Sequence, residues 1–124
     1  MQGNHDRQAR RSRVEGFRID RDGQLVRVVI PERGTTYMHR CTREAFERVC
    51  HRFDEHGVGD TVETLAEAAQ IPVTQAATAL AFLLERGIVA TENRRNFPQT
   101  IDVHLDGMTE YHALREGSPA SDAG

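Results

Sequence analysis

Apolar residues recur every three or four positions between Thr42 and Gly57, which predicts an amphipathic helix in this part of the chain. The apolar stripe consists of Phe46, Val49, Cys50 and Phe53. Charged residues occupy the remaining faces of this helix. Thr42 is a residue type that caps a first turn, and Gly57 is one that ends a helix.

Two more helices are predicted immediately after this one. The first begins at Asp60 or Thr61 and ends before Pro72, because the residue that precedes a proline is disfavoured in a helix. The next begins with Thr74 as its N-cap and ends at Gly87, since glycine readily adopts the left-handed conformation that closes a helix. Its buried stripe is predicted to be Ala76, Leu80, Leu83 and Leu84.

Short strands are predicted on both sides of the helices. Residues 17–19, 25–30 and 35–40 have strand character, and Asp22-Gly23 is a strong hairpin signal between the first two. After the third helix we expect a strand at 88–89, a loop at 90–99 and a returning strand at 100–105. A short helix is predicted at 108–114.

The segment LAEAAQIPVTQAATALAFLLERGIV, residues 65–89, resembles the helix-turn-helix core of bacterial winged-helix transcription regulators. The matching core and cap positions are Leu65, Ala66, Ile71, Leu80, Leu83, Gly87 and Val89. The resemblance implies an α+β fold, a winged helix with a three-helix core and a C-terminal β-wing. A small antiparallel β-hairpin or three-stranded extension is expected to precede it.

The expected domain organisation follows from this resemblance and from composition. Residues 1–15 are predicted to be a disordered arginine-rich arm, and residues 16–41 the β-hairpin extension. Residues 42–106 are predicted to be the winged helix domain. Residues 107–124 are predicted to be a short helix and a flexible tail.

DNA binding is the function that the resemblance implies, in a small transcriptional regulator that contacts double-stranded DNA and pairs as a homodimer. In such proteins the second helix of the motif enters the major groove. Thr74, Gln75 and Thr78 are therefore expected to contact bases or backbone. Arg94 and Arg95 at the wing, with Arg86 near the helix end, are expected to hold phosphates.

An alternative is a protein interaction or dimerisation module that does not bind DNA, because the exposed side of the third helix carries no arginine that would contact a guanine. In that case Ala79 and Phe82 would meet another chain. The other interpretation of Phe82 is that it packs within the chain, under the wing or against the N-terminal sheet.

Composition and charge exclude several classes of protein. The chain has 124 residues and a net charge of −3, with basic residues concentrated at 1–13 and acidic residues at 42–70 and 101–124. A chain of this length suits one small domain. Without a signal peptide or a long apolar run, the expected location is the cytoplasm, with no membrane partner.

No catalytic site, metal site or cofactor is predicted. The sequence lacks a glycine-rich phosphate loop and a nucleophile motif, so we expect no enzyme activity. Several residues invite a metal interpretation, namely His39, Cys41, Cys50, His51 and His56. Their spacing does not form the paired clips of a structural zinc site, so core cysteines and surface histidines are expected instead.

Overall fold

The computed structural model describes residues 14–57 and 59–117, in which three strands precede three helices, a β-hairpin and a fourth helix. The strands of the first sheet are β1 (Val14–Ile19), β2 (Leu25–Ile30) and β3 (Tyr37–Cys41). The helices are α1 (Arg43–Glu55), α2 (Val62–Ala69), α3 (Val73–Glu85) and α4 (Val103–Gly117), and the hairpin strands are β4 (Val89–Glu92) and β5 (Arg95–Pro98). Residues 1–13 of the predicted arm and residues 118–124 of the predicted tail lie outside the described residues.

The first three strands form an antiparallel sheet in the order β1-β2-β3. The predicted turn at Asp22-Gly23 is confirmed: Gly23 has a φ of 80°, and its N–H donates to the carbonyl of Asp20 at 3.0 Å. Ile19, Leu25 and Cys41 lie side by side in the register and belong to the core. Side chains alternate between the two faces of a sheet along each strand. These three residues therefore mark the face that packs on the helices, which we call the inner face.

Helices α1 and α2 follow the sequence prediction closely. The hydroxyl of Thr42 accepts a bond from the N–H of Ala45 at 3.0 Å, and the predicted stripe of α1 is buried. Thr61 caps α2 by accepting from the N–H of Thr64 at 3.2 Å. Helix α2 ends at Gln70, whose φ of 59° is left-handed.

Helix α3 begins earlier than predicted and lies at the centre of the fold. Its N-cap is Pro72, not Thr74, because the fixed backbone of proline already leads into the helix without a side-chain cap. Phe82 packs against Phe17 of β1 and Phe46 of α1, with ring centroids 5.4 Å and 5.8 Å apart. This contact joins the sheet, α1 and α3 in one core.

The prediction of a returning strand at residues 100–105 is wrong. The hairpin closes much sooner, through a turn at Asn93 and Arg94, and α4 begins at Val103. The carboxylate of Asp54 accepts bonds from the N–H groups of Val103 at 2.7 Å and His104 at 3.0 Å, so a side chain from α1 caps the first turn of α4. The alternation of apolar residues at 101, 103 and 105 imitates a strand, whereas the helical set at 103, 107 and 111 is the one that is buried.

The fold is α+β, but it is not the predicted winged helix. The described residues contain four helices and two antiparallel sheets, one of three strands and one of two. The N-terminal sheet is not an extension outside a three-helix core, because it packs directly on α3. The fourth helix also contributes Val103, Met108 and Tyr111 to the same core.

Candidate functional site

The three predicted DNA-contacting residues of α3 do not form an exposed set. Thr78 is only 1% exposed, and its hydroxyl donates to the carbonyl of Thr74 at 2.8 Å. The side-chain oxygen of Gln75 accepts from the N–H of Thr42 at 3.0 Å, so Gln75 serves as a link to the start of α1. Thr74 alone of the three is exposed.

The three predicted phosphate-binding arginines lie in different environments. Arg86 pairs with Glu85 at 2.9 Å and with Glu110 at 3.3 Å, and its guanidinium lies 5.1 Å from the ring centroid of Phe82. Arg95 donates to the carbonyl of Gly59 at 3.0 Å. Arg94 is exposed at the tip of the hairpin. Two of the three guanidinium groups are therefore already engaged within the chain.

Ala79 and Phe82, the residues of the alternative partner surface, are both fully buried. Apart from Val73 in its first turn, which is 47% exposed, the outward surface of α3 is formed by small or acidic positions, namely Thr74, Ala77, Ala81 and Glu85. Because Phe82 packs on Phe17, the interpretation that it contacts the N-terminal sheet is confirmed. Both side chains expected at the partner surface are therefore buried within the chain.

A polar junction ties α1 to the hairpin. Arg52 donates to both carboxylate oxygens of Asp60, at 2.9 Å and 3.2 Å, and this bond is the main reason that the pKa of Arg52 is raised. The carbonyl of Asp60 accepts from the backbone and side-chain N–H groups of Asn96, at 2.9 Å and 3.0 Å. All these groups are satisfied by one another, so the junction has a structural role.

A groove of about 310 Å³ lies between α1 and the end of α2. Arg48 and Arg52 line it, but both guanidinium groups are already bonded, Arg48 to Glu44 at 3.0 Å and to the carbonyl of Ala69 at 3.3 Å. Two occupied arginines make a poor anion site. The groove therefore has no free guanidinium group from these two arginines to bind an anion.

The buried thiols are held in their neutral form. Burial raises the pKa of Cys41 to about 12 and raises that of Cys50 further. Burial also raises the pKa of Tyr111 to about 12, and its hydroxyl donates to the carbonyl of Gly23. Low-pKa, accessible thiols are the reactive ones, so these cysteines act as core residues, as the sequence predicts.

The outer face of the sheet, opposite the helices, carries several exposed apolar side chains. Val14 lies opposite Ile30 in the register, and Val28 lies opposite Met38. Val14, Ile30 and Met38 are 62%, 48% and 45% exposed. At the other end of the same face Arg18 and Arg40 flank Val26, which is fully buried, so the exposed apolar groups of this face lie at the end with Val14, Ile30 and Met38. We call these residues, together with Gly16, the outer face; none of them is acidic.

A second exposed apolar cluster lies where α4 begins. Ile101 is fully exposed and Leu105 is 60% exposed, and Asp102 and Asp106 lie beside them in the chain. The side chain of Asp102 accepts from the N–H of Leu105 at 2.9 Å, which holds the first turn in place. We call these four residues the α4 start. It combines apolar and acidic groups, whereas the outer face combines apolar and basic groups.

Two histidines and a carboxylate meet where α1 and α4 touch. The ring of His104 bonds to the carboxylate of Glu47 at 2.9 Å and stacks on the ring of His51, with centroids 4.1 Å apart. The bond from His104 is the main cause that lowers the pKa of Glu47. Sequence reasoning missed this cluster because His104 is more than fifty residues away and was assigned to a strand. The i,i+4 spacing of Glu47 and His51 was the available signal.

Comparison with family models, curated proteins and solved structures gives no match. Among the described residues, no helix is long and apolar enough to cross a membrane.

Proposed function

We propose that this protein is an interaction module that self-associates head to tail, with the outer face of one copy seated on the α4 start of the next. The observation that carries the proposal is the exposure of Val14, Ile30 and Met38 on one side of a sheet whose other side is buried at Ile19, Leu25, Val29 and Cys41. Contiguous apolar patches of this kind are typical of protein interaction sites.

The second copy is the favoured occupant because the chain offers both halves of the contact. The outer face supplies apolar side chains with Arg18 and Arg40, of which Arg40 pairs loosely with Asp20 at 3.4 Å. The α4 start supplies Ile101 and Leu105 with two aspartates. Matching apolar groups and opposite charges favour this pairing over the stacking of two basic outer faces.

A single molecule does not bring the two surfaces together. Helices α3 and α4 pack on the inner side of the sheet, so the outer face points away from them. The contact is therefore intermolecular and heterologous, which leaves one free surface of each kind at the ends of every assembly that does not close into a ring. Growth with protein concentration is the expected behaviour.

The experiment is to measure mass against concentration by light scattering after gel filtration. Wild type should exceed the 14.0 kDa of one chain as its concentration rises, and Ile30→Asp or Leu105→Asp should each return it to that mass. Added salt should weaken association, because it screens the attraction between the exposed arginines of the outer face and the aspartates of the α4 start. Val73→Asp, at an exposed apolar residue of α3, is the matched control and should change nothing.

A wild type that stays monomeric at millimolar concentration would overturn the proposal. So would a loss of association in Ile30→Asp with none in Leu105→Asp, because that result would place a different surface opposite the outer face.

DNA binding is a second candidate, and the exposed tip of the β4-β5 hairpin favours it. Arg94 stands at this tip in a left-handed conformation with a φ of 68°, and Arg95 follows it. Two adjacent cations on a projecting turn suit non-specific contact with phosphates. The small and acidic outward surface of α3 gives this candidate no base-reading element.

This second candidate predicts a DNA shift at low salt that depends on the hairpin. Replacing Arg94 and Arg95 together with alanine should weaken binding and reduce the slope of log affinity against log salt by about two contacts. Arg33→Ala, at an exposed arginine in the turn between β2 and β3, is a control for general loss of charge. An unchanged slope in the double variant would remove the hairpin from any DNA interface.

A further inference from the structure

Glu47, His51 and His104 place three potential metal ligands within 4.8 Å of one another. Glu47 and His51 are one turn apart on α1, so they share a face of that helix. His104 comes from the first turn of α4, which Asp54 of α1 fixes through two backbone bonds. The cluster therefore depends on the folded contact between the two helices.

We infer that Glu47, His51 and His104 form a binding site for a divalent transition-metal ion of the zinc class. Two imidazoles and one carboxylate are a ligand set that zinc accepts, with water completing the coordination. His104 lies between residues of the α4 start, but none of the three ligands belongs to the proposed contact, so this inference does not depend on the proposed function.

The spacing of the groups supports the inference. Two ligands about 2.0 to 2.1 Å from one ion in tetrahedral geometry are about 3.3 Å apart. The imidazole nitrogen of His104 and the carboxylate oxygen of Glu47 are already 2.9 Å apart. Replacing this hydrogen bond with two metal bonds requires only a few tenths of an ångström of movement between them.

His51 supplies the third ligand and the route of entry. Its side chain is exposed, whereas Glu47 and His104 are half-buried. Its ring lies nearly parallel to that of His104, at 16°, so a rotation of the exposed ring is needed to turn a nitrogen toward the ion. An ion can therefore enter from solvent on the His51 side.

The surrounding residues leave one carboxylate oxygen available. Arg43 donates to Oε2 of Glu47 at 3.1 Å, while His104 bonds to Oε1. A bond to the second oxygen of a ligating carboxylate is a common outer-sphere arrangement that orients the ligand. The positive charge of Arg43 also opposes a cation, so we expect a modest affinity.

The test uses the full chain after removal of metal with a chelator, titrated with Zn²⁺ in competition with a chromophoric chelator. Wild type should bind one equivalent, and His51→Ala and His104→Ala should each weaken binding by more than about tenfold. His112→Ala, at an exposed histidine further along α4, should bind like wild type. Circular dichroism of each variant establishes that it is folded. Glu47→Gln tests the carboxylate ligand, because it keeps the size of the side chain and removes its negative charge.

Two additional readouts distinguish this site from others. Co²⁺ should give visible bands of a nitrogen and oxygen site without the intense near-ultraviolet band of cobalt thiolate, because Cys41 and Cys50 are buried. Zn²⁺ should raise the melting temperature of wild type and not that of His104→Ala, because bound metal stabilises the folded contact between α1 and α4. Equal Zn²⁺ affinity in wild type and His104→Ala, or no binding to wild type at 100 µM Zn²⁺, would overturn the inference.

Discussion

Single residues determine where several elements of this fold begin. Thr42 caps the first turn of α1, and Gly23 has the left-handed backbone of the turn between β1 and β2. Side-chain caps and glycine turns depend on neighbours a few positions away, so local sequence determines them. The cap of α4 was not predictable in this way, because Asp54 is about fifty residues from the backbone groups that it binds.

At Gly107 the packing of α4 leaves no room for even one additional side-chain carbon. It lies in α4 against α1, and a methyl group there would stand 2.9 Å from the sulfur of Cys50 and 3.4 Å from Leu83. Glycine costs a helix interior about 1 kcal/mol relative to alanine, so its presence here is explained by the close approach of the helices.

Gly107→Ala should therefore destabilise the protein. We expect overpacking, typically about 1 to 3 kcal/mol, to outweigh the gain in helix propensity of about 1 kcal/mol. Urea unfolding measures the difference in the free energy of unfolding. Gly117→Ala, at the end of the same helix where no atom lies within 4 Å of the added methyl group, is the control. A more stable Gly107→Ala variant would show that α4 is not packed closely on Cys50.

At the scale of elements, helices with a clear three-and-four period were predicted well. After residue 90 the helix expected at 108–114 forms as part of α4, whereas the strand expected at 100–105 does not form. The predicted stripe of α1 is buried, and the prediction was clear because no polar residue interrupts the apolar positions of that stripe. Residues 101, 103 and 105 carry an alternating pattern that favours a strand, yet capping by Asp54 and burial of Tyr111 select a helix. Local periodicity cannot decide between two patterns when the deciding contacts are distant.

The junction between α1 and the hairpin gives a prediction at this scale. Asp60→Ala removes both bonds from Arg52, and we expect a loss of about 1 to 3 kcal/mol in the free energy of unfolding. Asn96 should retain its bonds, since it binds the backbone carbonyl of residue 60. A double-mutant cycle with Arg52→Met isolates the coupling between the two side chains.

That cycle has a matched comparison in the exposed pair of Arg48 and Glu44, at 3.0 Å, which should couple by about 0.5 kcal/mol or less. Equal coupling energies for the two pairs would contradict a structural role for the Asp60 junction.

For the whole molecule, the α+β class was predictable and the arrangement was not. The order of strands, helices and hairpin was largely inferred from local patterns, but Phe82 was consistent with both a buried and an exposed position. Its contact with Phe17 encloses α3 between the sheet and the other helices, which removes Ala79 and Thr78 from the surface. The exposed apolar groups lie instead on the outer face and at the α4 start.

Mixing two association-defective variants tests head-to-tail contact most directly. Ile30→Asp retains an intact α4 start, and Leu105→Asp retains an intact outer face, so each should be monomeric alone. Their equimolar mixture should form a one-to-one dimer with twice the single-chain mass, and it should stop there because only one pair of intact surfaces exists. A mixture that remains monomeric, measured by light scattering at the concentration where wild type associates, would contradict the account.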